Sequence, residues 1–287
     1  MNRSFTFARR LMLAWPKPAC AVAAGCTPKA TPFRSLAAVQ PFNTAPRSAT
    51  TTGRVFWPTK MGRPRLLDLF CGAGGAAMGY HRAGFDVWGV DIEPQPHYPF
   101  AFVRDDALAV LRRGFVTDAA HVRDFDAIHA SPPCQAYSTQ TADPLRHPDL
   151  YAETRDLLES TGLPYVIENV IGAPYLHGVT LCGSMFNLRV RRHRNFETSF
   201  LILQPLVCDH RRQGPPVDVT GHPAGDAVGS RGGRTTIPGG THGNKWQNLT
   251  HGSEAMGIEW MDKTALPLAI PPAYTEFIGE QLMGVIA

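Results

Sequence analysis

Apolar and polar positions divide the first two thirds of the chain into short buried runs separated by helical stretches. Residues 65–70 are almost wholly apolar and predict a buried strand. The turn Gly72-Ala73-Gly74-Gly75 follows, then a helix over 76–83 closed by Gly84. Residues 85–92 predict a second strand, with Asp91 near its carboxyl end. Pro94, Pro96 and Pro99 then break the chain. A short third strand over 100–104 leads through Asp105-Asp106 into a helix over 107–113. Residues 126–130 form a fourth strand, stopped by Pro132-Pro133. A helix over 149–160 and a fifth strand over 165–170 complete the pattern. Strands alternating with helices predict an α/β fold with a doubly wound parallel sheet. Ligands in such folds collect at the carboxyl ends of strands, where Asp91, Asp106, Cys134 and Glu168 all fall.

Beyond residue 200 the pattern fades. Residues 205–250 are dense in Gly, Pro, His and Arg and carry no clear element, as in a functional insert or a disordered stretch. Helical patterns return over 253–260 and 272–285. The domain reading is therefore a catalytic core over 61–200, a small insert over 201–252, and C-terminal helices over 253–287 that complete the core.

Charge sets the N-terminus apart. Residues 1–65 hold 11 Lys and Arg and no acid, and the remaining 222 residues hold 17 basic and 24 acidic side chains. Residues 1–60 are rich in Ala, Pro, Ser, Thr and Arg. The preferred reading is an inert extension, or translation starting at Met61. A basic arm that touches nucleic acid and an organelle transit peptide are the alternatives. No apolar run is long enough to span a membrane. The six cysteines form no CxxC pair, so reduced thiols and a cytoplasmic setting are expected. Cys208-Asp209-His210 offers half a metal site, but no second Cys/His pair stands at a zinc spacing, and no metal is expected.

The candidate chemistry lies in four strings: Asp68-Leu69-Phe70-Cys71-Gly72-Ala73-Gly74-Gly75, Pro132-Pro133-Cys134-Gln135, Glu168-Asn169-Val170, and Arg192-His193-Arg194. They supply a glycine-rich turn, a thiol, a strand-end acid and a basic pair. GxGxxG is not satisfied, because position 77 is Ala, which argues against a dinucleotide fingerprint. Alternation along a strand would point Arg192 and Arg194 to one face.

The four strings in this order resemble the cytosine-5 methyltransferases, from about Arg65 to the C-terminus and most strongly over 66–170. The resemblance implies a Rossmann-like fold that binds S-adenosylmethionine and methylates carbon 5 of cytosine in double-stranded DNA, with the base flipped out. It implies cofactor contacts from Asp68, Phe70, Gly72, Gly74, Asp91, Ile92 and Asp106, with Asp105 a substitute for Asp106. It implies a nucleophile in Cys134, a base-protonating acid in Glu168, and supporting catalytic roles for Arg192 and Arg194. Pro133, Gln135, Ser138 and Asn169 would shape the substrate pocket. Arg211, Arg212, Arg231, Arg234 and Lys245 would grip phosphates. Two departures stand out: Leu266-Pro267-Leu268-Ala269-Ile270-Pro271 lacks the Asn of the family's last motif, and the insert is short. The chain thus resembles compact phage-borne or orphan methylases, and a monomer is expected. An RNA cytosine methyltransferase and a catalytically silent nucleic-acid-binding module are the alternatives.

Overall fold

A computed structural model describes residues 62–139, 141, 143–204, 207–221, 223, 235–237 and 241–287. The readings of residues 1–60, of Met61 as a start, and of Arg231 and Arg234 fall outside these residues.

The core alternates as the hydrophobic pattern requires. β1 (Arg65–Leu69), α1 (Gly75–Ala83), β2 (Asp86–Asp91), β3 (Ala101–Arg104) and α2 (Ala107–Arg113) come first. A small hairpin follows, β4 (Phe115–Thr117) and β5 (Ala120–His121), then β6 (Ala127–Ala130), α3 (Tyr151–Thr161) and β7 (Tyr165–Asn169). The chain continues through β8 (Gly178–Leu181) and β9 (Arg194–Thr198). The seven-stranded sheet has the order β3-β2-β1-β6-β7-β9-β8. Its first five strands run parallel, and β9 is antiparallel to both β7 and β8. Successive strand residues face opposite sides. Leu66 joins a core with Tyr80, Phe85, Tyr274 and Ile278, while Leu67 and Leu69 join one with Val110, Phe125, Ile128 and Leu158. Burial on both faces is why these strands read as continuous apolar runs.

β8 and the β4–β5 hairpin had no signal strong enough to predict them from sequence. β8 opens beside a loop with exposed Ile171, Tyr175 and Leu176, which blurs its period. β9 is tied to α3 by a buried carboxylate. Glu197 accepts hydrogen bonds from Arg155 Nε (2.6 Å), Arg155 Nη2 (2.8 Å) and the Tyr151 hydroxyl (3.1 Å).

The insert is more ordered than its composition suggested. β10 (Val217–Asp218), β11 (Thr235–Ile237) and β12 (Thr241–Lys245) form a second sheet in the order β10-β12-β11. Val217, Val219 and the fully buried Trp246 pack with Met256, Ile258 and Leu266. The last helices are α4 (Leu249–Met256) and α5 (Pro272–Ile286). α4 lies earlier than the periodicity placed it. The Asn248 side chain caps it by accepting the His251 N–H at 2.9 Å, and Gly257 at φ 69° ends it.

α5 packs on α1 and closes one face of the sheet. Their approach requires Gly79, where a Cβ would lie 2.1 Å from Thr275 Oγ1 and 2.2 Å from the Pro272 carbonyl. Backbone stands too close for a rotamer change to relieve the clash. Gly79→Ala is therefore expected to destabilise the fold by about 2 kcal/mol, read as a lower urea midpoint with an unchanged m-value.

Candidate functional site

Strand order reverses between β1 and β6. From β1 the chain winds outward to β2 and β3; from β6 it winds the other way to β7. The loops that leave these two strands therefore diverge and open a crevice at their carboxyl ends. The Ser131 N–H donates to the Leu69 carbonyl at 3.1 Å, so the two loops start side by side.

On the β1 side lies the glycine turn. Phe70 sits at φ 56°, an uncommon conformation for a non-glycine residue and a local strain. Gly74 sits at φ 84° against the Tyr98 ring and starts α1. A Cβ at Gly72 would meet nothing within 4 Å, so the turn faces open space there. The Gly72 N–H donates to Asp91 Oδ2 at 2.9 Å, which fixes the end of β2 beside the turn. Ile92 follows, an apolar side chain left 61% exposed. Asp105 and Asp106 stand next to this point, because the Asp105 N–H donates to the Asp91 carbonyl at 3.0 Å. Asp105 is held in an ion pair with Arg113 at 2.6 Å. Asp106 caps α2 through one oxygen, accepting the Ala109 N–H at 2.9 Å. Asp105 is thus committed to a side-chain partner and Asp106 to the helix end.

Asp68 differs in kind from these residues. It is 1% exposed, and neither carboxylate oxygen makes an aligned hydrogen bond. Burial and the nearby Asp91 charge push its carboxyl well above the usual carboxylate range. It lies beneath the turn as a buried acid, one residue before the last of β1. The Trp260 Nε1–H closes the turn by donating to the Ala73 carbonyl at 2.9 Å, a contact from 187 residues away that the sequence did not signal.

On the β6 side lies the thiol loop. Cys134 is partly buried, and its carbonyl accepts the N–H groups of Tyr137 (3.0 Å) and Ser138 (2.9 Å). Pro133 is half-buried, Gln135 is exposed, and Ser138 is half-buried on the same turn. Asn169 reaches across from β7 and donates through Nδ2 to the Pro132 carbonyl at 2.9 Å. The stiff Pro-Pro segment is thus pinned to the strand that carries Glu168. Burial pushes the Cys134 thiol up, Arg194 and Arg192 pull it down, and Glu168 opposes them. Glu168 and Asn169 are neighbours on β7, so the acid lies beside the loop that carries the thiol.

Glu168 is 5% exposed. Arg194 Nε stands 3.1 Å from its Oε1, yet Oε1 makes no aligned hydrogen bond, so the ion pair leaves an acceptor position free. Burial raises its pKa; Arg194 and a Ser131 hydrogen bond lower it, and burial wins. A polar chain that the sequence did not signal runs behind it. Ser131 Oγ lies 2.9 Å from His129 Nε2, and His129 Nδ1 lies 3.0 Å from the Tyr80 hydroxyl. Burial lowers the His129 pKa to about 3, so this imidazole is neutral.

Two expectations are corrected. Arg192 and Arg194 do not share a strand face, because β9 starts at Arg194 and Arg192 precedes it. Arg192 turns away and donates to the carbonyls of Val219 (2.8 Å), Pro267 (2.8 Å) and Ala269. It braces the insert and the C-terminal segment against the core. Lys245 folds inward onto the Thr220 carbonyl and is not a free phosphate grip. Arg211 and Arg212 are exposed and both pair with Asp209, at 3.4 and 3.6 Å. Among the described residues no helix is long and apolar enough to cross a membrane.

Residues 64–172 match the model of the C-5 cytosine-specific DNA methylase family. The chain is 31% identical over 124 residues to the type II methyltransferase M.XorII of Xanthomonas oryzae pv. oryzae. It is 27% identical over 133 residues to the type II methyltransferase M.AgeI of Thalassovita gelatinovora. The matches cover 39% and 42% of this chain but only 29% and 31% of those proteins. Among solved structures, the fold is similar to an E. coli prophage protein described as a DNA modification methyltransferase, with TM-score 0.52 and 16% identity over 78% of this chain and 99% of that one. It is also similar to the Entamoeba histolytica methyltransferase EhMeth, with TM-score 0.51 and 12% identity over the same shares.

The Arg192 brace gives a direct test. Arg192→Lys keeps the charge but cannot serve three divergent carbonyls. It is expected to lower stability by about 2–4 kcal/mol, the loss of one or two charged hydrogen bonds, measured by urea unfolding.

Proposed function

We propose that this chain, whose residues 64–172 match the model of the C-5 cytosine-specific DNA methylase family, transfers a methyl group from S-adenosylmethionine to carbon 5 of cytosine in DNA through a covalent adduct with Cys134. The observation that supports the reading is the buried Glu168 carboxyl, paired with Arg194, on the same strand as Asn169, which pins the Cys134 loop where it starts beside the Phe70–Gly74 turn.

The residues present fit the cofactor. The open space over Gly72 leaves room for a ligand against the backbone. The Asp91 carboxylate is positioned to accept from a ribose diol, the exposed Ile92 side chain to cover an adenine ring, and Asp106 to accept from its amino group. Phe70 and Gly74 would line the remainder. When bound, S-adenosylmethionine supplies an electrophilic sulfonium methyl.

The protein's own work is on the base. Carbon 5 of cytosine is a poor nucleophile until a thiolate adds at carbon 6. Cys134 supplies that thiolate, and Arg194 favours its charged form. Glu168, with its pKa raised by burial, is suited to donate a proton to ring nitrogen 3 as the thiolate adds. Arg194, 3.1 Å from Oε1, holds the carboxyl in place. Asn169 keeps the Pro132-Pro133-Cys134 segment rigid, so addition costs little reorganisation. Product release requires loss of the carbon-5 proton to water, expulsion of Cys134 as thiolate, and return of the nitrogen-3 proton to Glu168. A base within a duplex must be flipped out to reach this pocket.

Bisulfite sequencing of DNA from cells that express the protein is expected to reveal methylcytosine at a defined site, and none with Cys134→Ala. Methylcytosine confined to RNA would replace the DNA reading with an RNA one. Failure of 5-fluorocytosine in either nucleic acid to give an adduct would favour a silent binding module. The pH profile adds a second test. Removing the Arg194 charge leaves burial and Glu168 to raise the Cys134 pKa. Arg194→Met is therefore expected to slow methyl transfer and to move the rising limb of the rate profile to higher pH; an unmoved limb would separate Arg194 from the thiol.

A further inference from the structure

We propose that Cys182, His193, Cys208 and His210 bind one structural zinc ion, which fastens the arginine-bearing segment to the insert. This corrects the expectation from sequence, which found half a site at Cys208 and His210 and no partner pair. The partners are Cys182, after β8, and His193, ahead of β9. They are separated in sequence by ten residues and come together because β8 and β9 pair antiparallel, with Leu181 opposite Arg194. No CxxC or HxxxH spacing announces such a site.

One donor atom from each side chain lies within 4.8 Å of all the others. His210 Nε2 is 3.3 Å from Cys182 Sγ and 3.0 Å from Cys208 Sγ, and His193 Nε2 is 3.3 Å from Cys208 Sγ. Four ligands around a tetrahedral zinc, at about 2.3 Å for sulfur and about 2.0 Å for nitrogen, stand about 3.3–3.8 Å from one another. The side chains therefore already form nearly the required cage, with slight expansion needed. Two thiolates would balance the dication, and binding would release two thiol protons to water. Two soft sulfurs with two imidazoles in a tetrahedron select zinc over calcium, magnesium or manganese. Four protein ligands leave no open position, which marks a structural role over a catalytic one.

The surroundings support thiolates. The Ser184 hydroxyl lies 3.3 Å from Cys182 Sγ and 3.5 Å from Cys208 Sγ, placed to donate to either sulfur. Metal ligands commonly carry such outer hydrogen bonds. Arg191 Nη2 donates to the His210 carbonyl at 3.2 Å, and its Nε donates to Gln213 at 2.8 Å, so the loop that carries His210 is held from its flank. Cys182 is buried and the other three are half-buried, so the site is sheltered but reachable.

The location gives the ion a consequence. His193 is the residue between Arg192 and Arg194. A metal bond at His193 would fix the chain at the point where Arg192 turns out to brace the C-terminal segment and Arg194 turns in to Glu168. Residues 208–210, which open the insert, would be fastened to the same point. A short insert with few strands gains most from such a staple.

The test uses the full chain, purified without chelator. Inductively coupled plasma mass spectrometry is expected to find one zinc per chain. Cys208→Ser and His210→Gln should each lose it, while Cys134→Ser, which also removes one thiol, should retain it. Cobalt in place of zinc should give the visible bands of a tetrahedral site together with a thiolate charge-transfer band. Chelation is expected to lower Tm by about 5 °C or more. Protein without zinc that gains none on titration with zinc chloride would overturn the proposal. So would a Cys182–Cys208 disulfide in the purified protein, zinc retained in both site variants, or iron in its place. Metal content reads the site whether or not the chain methylates cytosine.

Discussion

Leu69 and Ala130 end two neighbouring parallel strands whose onward chains leave in opposite directions, and the site depends on that divergence. A sheet wound one way only would have carried the glycine turn and the thiol loop over the same helix layer. Reversal opens a crevice instead, with a main-chain hydrogen bond from Ser131 to Leu69 fixing its floor. β7 then lies beside β6, so Glu168 and Asn169 reach the thiol loop from the neighbouring strand. Electrostatics inside the crevice follow from burial: it raises both the Cys134 thiol and the Glu168 carboxyl, and the Arg194 charge opposes both shifts.

The C-terminal part of the chain supports that crevice. α5 lies on α1 because Gly79 allows backbone to approach backbone, and the Thr275 hydroxyl donates to the Ala76 carbonyl at 2.8 Å across the seam. Trp260 reaches the Ala73 carbonyl and steadies the turn. Arg192 gathers three carbonyls from the insert and the C-terminal segment. Within residues 266–271, which depart from the last motif of the family that the sequence resembles, Pro267 and Ala269 serve Arg192 through main-chain oxygens, which any side chain could supply.

Cys182, His193, Cys208 and His210 extend this theme from the core to the insert. Two of them sit at the ends of paired strands and two on the loop beyond, so the cluster joins the core sheet to the insert. With a metal in place, the orientation of Arg194 toward Glu168 would depend on the same clasp that holds the insert.

The sequence alone determined the parts set by local physics. Apolar runs of strand length placed β1, β2, β6 and β7, glycines closed the helices, and four strings marked the turn, the thiol, the acid and the basic pair. Those signals are contiguous, so they survive without knowledge of contacts. Tertiary structure decided what no neighbouring residue encodes. It separated Arg192 from Arg194 by starting β9 at Arg194, committed Asp105 to Arg113, and turned Lys245 inward. It also ordered the insert around Trp246 and joined four metal-binding side chains spread over 29 residues. Each outcome rests on pairing between distant segments, where the energy lies in burial and geometry that composition and spacing do not carry.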